Sequence, residues 1–170
     1  MKKLLIVVDF QNDFVNGSLG FPEAAALEES IYNKILEYNN DEVIYTLDTH
    51  YNNYRDTKEG KLLSVPHCIE GTEGHKIYGK VYELLKNKRC FKKNTFPSLE
   101  LGKYIENKNY DVIELCGLVS SICVLSNAVI AKAACPEAEI IIDSRLTADS
   151  DKNMRQKAFD IMKNLHINII

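Results

Sequence analysis

Six short strand-like runs, most of them apolar, alternate with helix-periodic segments along the chain, and no other feature constrains the fold as much. Leu4–Asp9 (LLIVVD), Glu42–Asp48 (EVIYTLD), Arg89–Lys93 (RCFKK), Asp111–Cys116 (DVIELC), Glu139–Asp143 (EIIID) and Ile167–Ile170 each suit a strand. Most are rich in β-branched residues and apolar throughout, the pattern of strands covered on both faces rather than on one. Between them, helical spacing recurs. Leu27, Ile31, Ile35 and Tyr38 share one face of a helix opened by Phe21-Pro22, and Ile77, Val81, Leu84 and Leu85 mark a shorter one. Leu99–Asn107 reads as a third helix and Ser121–Cys135 as a buried one halted by Pro136. Met154, Ala158, Ile161, Met162 and Leu165 form the last helical face. This alternation predicts a three-layer α/β fold: a six-stranded, mostly parallel sheet with helices on both faces. No repeat or linker interrupts residues 1–170, which are expected to form a single domain. The polar stretch Thr49–His75 reads as a long irregular loop, with Gly117 closing the fourth strand.

Composition excludes several classes. With 21 Lys and Arg against 24 Asp and Glu, the net charge is −3, and no basic cluster suits nucleic acid. The apolar start runs at once into Asp9, and no stretch is long enough to span a membrane. Five cysteines, an odd number without a CxxC pair, fit a reducing cytoplasm better than a disulfide framework. Gly17-Ser18-Leu19-Gly20 matches neither GxGxxG nor a P-loop, which argues against nucleotide binding.

In parallel sheets ligands gather at the carboxyl ends of the strands. Asp9, Asp48, Lys93 and the segment after Gly117 all fall there. Cys123, near a helix start, could serve as a nucleophile. A helix N-terminus and a nearby lysine would lower its thiol pKa, Asp9 could take its proton, and backbone N–H groups could hold an oxyanion. Asp48 and His50 alternate onto one side of an extended segment. With His67 they form a borderline-soft set of two imidazoles and a carboxylate, to which Glu59 could add an oxygen. His75, beside Gly74, is expected on an exposed loop. Phe14, Leu19, Tyr51 and Phe96 could sandwich a flat ring. Two histidines and a carboxylate would also suit a non-haem iron oxygenase, in which Cys123 would be idle. A non-enzymatic small-molecule binder would need none of Asp9, Lys93 and Cys123.

Five pieces occur in order along nearly the whole chain: VVDFQNDF (7–14), TLDTH (46–50), PHCIEGTEG (66–74), KNTF (93–96) and CGLVSSICV (116–124). On these the chain resembles the isochorismatase-like cysteine hydrolases, and within them the nicotinamidase/pyrazinamidase branch. The resemblance implies a Rossmann-like fold with a six-stranded parallel sheet. It makes Asp9, Lys93 and Cys123 the catalytic triad and puts Val119 and Cys123 at the oxyanion hole, with a cis peptide at Leu118–Val119. It further implies a divalent metal, zinc first and iron or manganese next, on Asp48, His50 and His67. The implied substrate is a small amide such as nicotinamide, in a pyridine-nucleotide salvage step, with another small amide, a carbamoyl compound or an isochorismate-like ether as the alternative for the same triad, and homo-oligomers are common among such proteins. The spacing to Phe96 favours Lys93 over Lys92 as the triad lysine. Two departures bear on the substrate: Ser120-Ser121 stands where many members have Thr-Asp, and a tryptophan usual after the metal motif is absent, Tyr51 being its plausible substitute.

Overall fold

The computed structural model describes residues 1–170. In chain order it forms β1 (Lys3–Val8), α1 (Asn12–Val15), α2 (Pro22–Ala25), α3 (Glu28–Glu37), β2 (Glu42–Asp48), α4 (Lys58–Leu62), α5 (Val81–Leu85) and β3 (Arg89–Lys93). There follow α6 (Leu99–Ile105), β4 (Val112–Leu118), α7 (Leu125–Ala134), β5 (Glu139–Ala148), α8 (Lys152–Asn164) and β6 (Asn168–Ile169). The strands make one sheet of order β3-β2-β1-β4-β5-β6 with every pairing parallel.

Each face of the sheet buries its own apolar layer, which is why the central strands β1 and β4 are apolar along almost their whole length. Leu4, Ile6 and Val8 pack with Leu101, Ile105, Ala128, Ala131, Phe159 and Met162 beneath α6, α7 and α8. Leu5 and Val7 point the other way, onto Ile31, Ile35, Val81 and Leu85 of α3 and α5. Each fully buried aliphatic contributes about 1.5–3 kcal/mol relative to exposure. Helix starts are capped locally: Ser98 Oγ accepts from Leu101 N at 3.1 Å, and Asp151 Oδ1 from Asn153 N at 2.8 Å.

Several expected boundaries shift. The helix expected after Phe21 divides into α2 and α3, because at Leu27 the N–H bonds to Ala24 O, an i→i−3 turn. Gly117 does not close the fourth strand: β4 runs through it to Leu118, and β5 continues past Asp143 to Ala148. The pairing jumps from Leu115–Ile142 to Gly117–Thr147, so the polar residues after Asp143, which read as a strand end, are taken up in an irregularity. The segment from Ser121 is not α-helical at first. Residues Ser120–Val124 form a π-helical turn, with Val124 N bonding to Val119 O at 3.1 Å. Thr49–His75 is not irregular either. It contains a 3-10 turn at Tyr54–Asp56, α4, and a bridge between His50 and Ile69. Ile77 lies outside α5, in a bridge to Gln11.

Gly117 holds β4 against β1. Its φ is +110°, and a Cβ there would sit 2.0 Å from Val8 O. Gly117→Ala is therefore expected to destabilise the protein by at least about 2 kcal/mol. Urea unfolding should show this as a lower midpoint with an unchanged m-value.

Candidate active site

The strand order reverses between β1 and β4, and the crevice at this switch point is where an open parallel sheet binds ligands. Val8, the last residue of β1, pairs with Thr46 on one side and Gly117 on the other. This places Asp9 between the ends of β2 and β4. Asp9 adopts a left-handed backbone, φ +45°, and its carboxylate is fully buried. Thr46 secures it: Thr46 Oγ1 donates to Asp9 Oδ1 at 2.6 Å. On the next strand, Asp48 pairs with Lys93. Strand alternation sends Lys92 outward to an exposed pair with Glu70 and turns Lys93 into the crevice. Lys93 Nζ lies 2.6 Å from Asp9 Oδ2, 3.7 Å from Asp48 Oδ1 and 3.7 Å from Cys123 Sγ, and it donates to Thr95 O at 3.0 Å. Asp9, Lys93 and Cys123 thus meet from three separate elements.

Burial dominates the electrostatics. It would discharge Lys93, but the Asp9 and Asp48 carboxylates oppose it and hold the ammonium charged. Burial also pushes the Asp9 carboxyl up, against the pull of Lys93. The Cys123 thiol differs from expectation. Burial, with Asp9 beside it, pushes the thiol well above its ordinary value, and Lys93 only partly offsets this. The resting group is the thiol, so its proton must leave as the sulfur reacts.

Next to this trio, Asp48, His50, Glu59 and His67 each offer one ligand atom, all within 4.8 Å of one another. Asp48 Oδ2 is 3.0 Å from His50 Nε2 and 3.3 Å from His67 Nε2, and Glu59 Oε1 is 3.5 and 3.6 Å from the same nitrogens. A tetrahedral site with bonds of about 2.0–2.1 Å has edges of about 3.3 Å, so the spacing and the nitrogen/oxygen donor set fit a divalent metal such as zinc. The donors are oriented from behind. His67 Nδ1 bonds Val65 O at 2.9 Å, leaving Nε2 for the cluster, and Tyr54 packs edge-on against both imidazoles. Thr57 caps α4 and sets Glu59 in its first turn. Burial would discharge His50, but contacts with Asp48 and Glu59 raise its pKa to about 9. Burial would raise the Asp48 carboxyl, but His50 and His67 at its Oδ2, with Lys93 nearby, hold it well below the usual carboxylate range. The cluster thus favours positive charge.

A cavity of about 210 Å³ joins the two groups. Phe14, Leu19, Phe21, Leu63, Phe96, Val119 and Ile122 form its apolar walls, and Asp48, Glu59, His67 and Cys123 reach into it. Phe14 tilts against the His67 ring, 5.5 Å between centroids. Tyr51 is not part of this wall. It is 55% exposed and lines a separate polar hollow behind His50, because the turn at Tyr54 carries it outward. Leu63 takes that side instead. His75 is buried rather than exposed, its Nε2 2.9 Å from Thr49 Oγ1. Sequence reasoning also passed over Gln11, which clamps both sides of the Asp48 peptide: its Oε1 accepts from Asp48 N at 2.8 Å and its Nε2 donates to Asp48 O at 2.9 Å. Gln11 and Thr46 lie within the VVDFQNDF and TLDTH pieces, but only their contacts with Asp48 and Asp9 show what they do. The Leu118–Val119 peptide is cis, as the resemblance implied.

A parallel sheet with a buried cysteine, lysine and aspartate at its switch point places this chain among the α/β hydrolytic enzymes that work from a strand-end crevice. The Isochorismatase domain family matches residues 3–170, and the chain belongs to that family. It is 34% identical over 143 residues, 76% of this chain and 78% of the other, to the uncharacterized isochorismatase family protein PncA of Bacillus subtilis (strain 168). The crystal structure of nicotinamidase/pyrazinamidase PncA from Bacillus subtilis superposes with a TM-score of 0.86 at 29% identity, over 99% of each chain. The fold also matches that of the pyrazinamidase of Pyrococcus horikoshii in complex with zinc, with a TM-score of 0.84 at 22% identity, over 100% of this chain and 99% of that one. The similarity is thus to the nicotinamidase/pyrazinamidase branch, and the chain is an amidohydrolase. No helix is long and apolar enough to cross a membrane.

Proposed function

We propose that this enzyme hydrolyses a small aromatic carboxamide, nicotinamide foremost, to the carboxylate and ammonia through a thioester on Cys123. The observation that carries the reading is the position of Lys93 Nζ, in contact with both Asp9 and Cys123, with Cys123 itself lining an apolar cavity. Asp9 takes the thiol proton as sulfur attacks the carboxamide carbon, and Lys93 offsets the charge that passes between them. The carbonyl oxygen becomes an oxyanion held by the backbone N–H groups of Val119 and Cys123. The C–N bond then breaks, and Asp9 returns its proton to the departing ammonia. In the second half Asp9 deprotonates water, which attacks the thioester carbon and releases the carboxylate and the thiol. Phe14 and Phe96 flank the ring, with Leu19 closing the wall.

Asp48, His50 and His67, with Glu59, would hold a divalent cation, zinc first and iron or manganese next. The cation supplies a fixed positive centre that orients the ring of the substrate. Removing it with a chelator is expected to raise KM about 10-fold or more with a smaller change in kcat, the signature of lost binding. Restored KM on adding zinc would check this, and unchanged kinetics of a chelated, metal-free protein would overturn it.

The test of the function is ammonia release from nicotinamide by metal-loaded protein. Turnover that depends on Cys123 supports the reading. A folded, metal-loaded protein that is inert to nicotinamide but cleaves another amide or a carbamoyl compound would replace the substrate and keep the chemistry.

A further inference from the structure

The π-helical turn that carries Cys123 needs a fixed position, because its backbone would face the oxyanion. The Val119 N–H meets no backbone acceptor. On one side α7 restrains the turn: Asn127 Nδ2 donates to Cys123 O at 2.8 Å and to Phe96 O at 3.0 Å. On the other side a single carboxylate does so. Asp149 directly follows β5, is 8% exposed and lines the same cavity as Cys123. Its Oδ2 accepts from Ser121 N at 3.1 Å and also from Ser121 Oγ, while its Oδ1 accepts from Asp151 N at 3.0 Å. Two residues back, Thr147 Oγ1 meets Ser120 Oγ at 2.8 Å. Both carboxylate oxygens are thus engaged by the protein, and two of the three bonds go to Ser121, the residue midway between Val119 and Cys123.

We infer that Asp149 is a positioning residue for the reaction, a β5 carboxylate that fixes the 119–123 backbone so that its N–H groups meet the oxyanion. The inference rests on the reading of Cys123 as an acyl-accepting nucleophile. Charge-assisted bonds of this kind are the stronger ones in a protein, and displacement of a reacting geometry by about 1 Å can cost 100-fold in rate. Ordinary strand-end capping would give Asp149 a role in stability but no selective role in acyl transfer.

Two probes of the same thiol separate these roles. Acylation of Cys123 by p-nitrophenyl acetate passes through a tetrahedral oxyanion and expels p-nitrophenolate. Alkylation by iodoacetamide displaces iodide in one step and forms no oxyanion. Both would be measured on the full chain, with the modified residue identified by peptide mass spectrometry. In Asp149→Ala the p-nitrophenolate burst rate is expected to fall about 100-fold while alkylation stays within about threefold. Asp149→Asn, which keeps an acceptor oxygen for Ser121 N, is expected to recover most of the loss and serves if the alanine variant fails to fold. An unchanged burst rate in well-folded Asp149→Ala would overturn the role of Asp149 alone, and so would a loss of about 100-fold in well-folded Asp149→Asn, where Ser121 N keeps its acceptor. So would acylation and alkylation falling in parallel, since that is the mark of a loosened fold. A native protein whose Cys123 alkylates but gives no burst would instead overturn the nucleophile reading on which the inference rests.

Discussion

Cys123→Ala is expected to lower the rate of amide hydrolysis by at least about 10⁴-fold and to leave the fold intact. No other group in the crevice can form the acyl intermediate. Lys93 is held charged by Asp9 and Asp48, and the Asp9 carboxyl is committed to Thr46 and Lys93. Removing a nucleophile that acts with its partners as a unit costs about as much as removing the whole set. The fold survives because the substitution removes one sulfur from a site already opening on the cavity. A loss of about 1 kcal/mol corresponds to roughly 2–4 °C in a domain of this size. Cys90→Ala is the control, since Cys90 lies on β3 away from the cavity. Its turnover should match the native enzyme. A Cys123→Ala protein with ordinary ammonia release would end the thioester mechanism.

Lys93→Gln is expected to damage both stability and activity. The substitution leaves Asp9 without the cation 2.6 Å away and withdraws a positive charge from Asp48. Breaking a buried pair from one side typically costs about 3–5 kcal/mol, because the remaining charge stays desolvated. Asp9 escapes part of this by binding a proton. Burial already pushes its carboxyl up, and loss of Lys93 removes the main opposing influence. The sign follows: above the ordinary carboxylate range the folded variant holds a proton that the unfolded chain has released. The stability of Lys93→Gln should therefore fall as pH rises towards neutrality, more steeply than that of the native protein. Urea midpoints across that range would measure it. Turnover should drop about 10³-fold, since a protonated Asp9 cannot accept the thiol proton. The double variant Asp9→Asn with Lys93→Gln should be more stable than the sum of the single losses predicts, because it leaves no unpaired charge. Additive losses would show that the two groups do not act as a pair.

How much of this was legible in the chain differs from element to element. β2 and β3 keep the bounds their apolar runs suggested, because strand pairing and local pattern agree there. β5 does not: Ser144 and Arg145 look like a strand end, and only pairing with β4 across an irregularity carries the strand on to Ala148. The distinction between Lys92 and Lys93 follows from strand alternation once Asp48 is paired with Lys93. Tyr51 failed as a cavity wall because its side chain depends on a turn three residues later, which no periodicity announces. His75 was misplaced for a similar reason: its neighbouring glycine suggested exposure, whereas Thr49, distant in sequence, covers it. The thiol pKa was expected to fall because a lysine and a helix start are visible as residues, while burial is not.

By itself the sequence determined the alternation of strands and helices, the two-sided burial of the sheet and the strand ends where Asp9, Asp48 and Lys93 fall. Those properties depend on side-chain period and apolar content, which act over a few residues. Tertiary structure alone decided that Lys93 contacts both Asp9 and Cys123, that Glu59 joins Asp48, His50 and His67, and that Asp149 reaches the Cys123 turn. Each of these meetings joins segments far apart in the chain, and their distances are set by the order and register of the parallel strands. The charge states at the site depend on how far packing excludes water, a property of the closed structure rather than of any local stretch of chain.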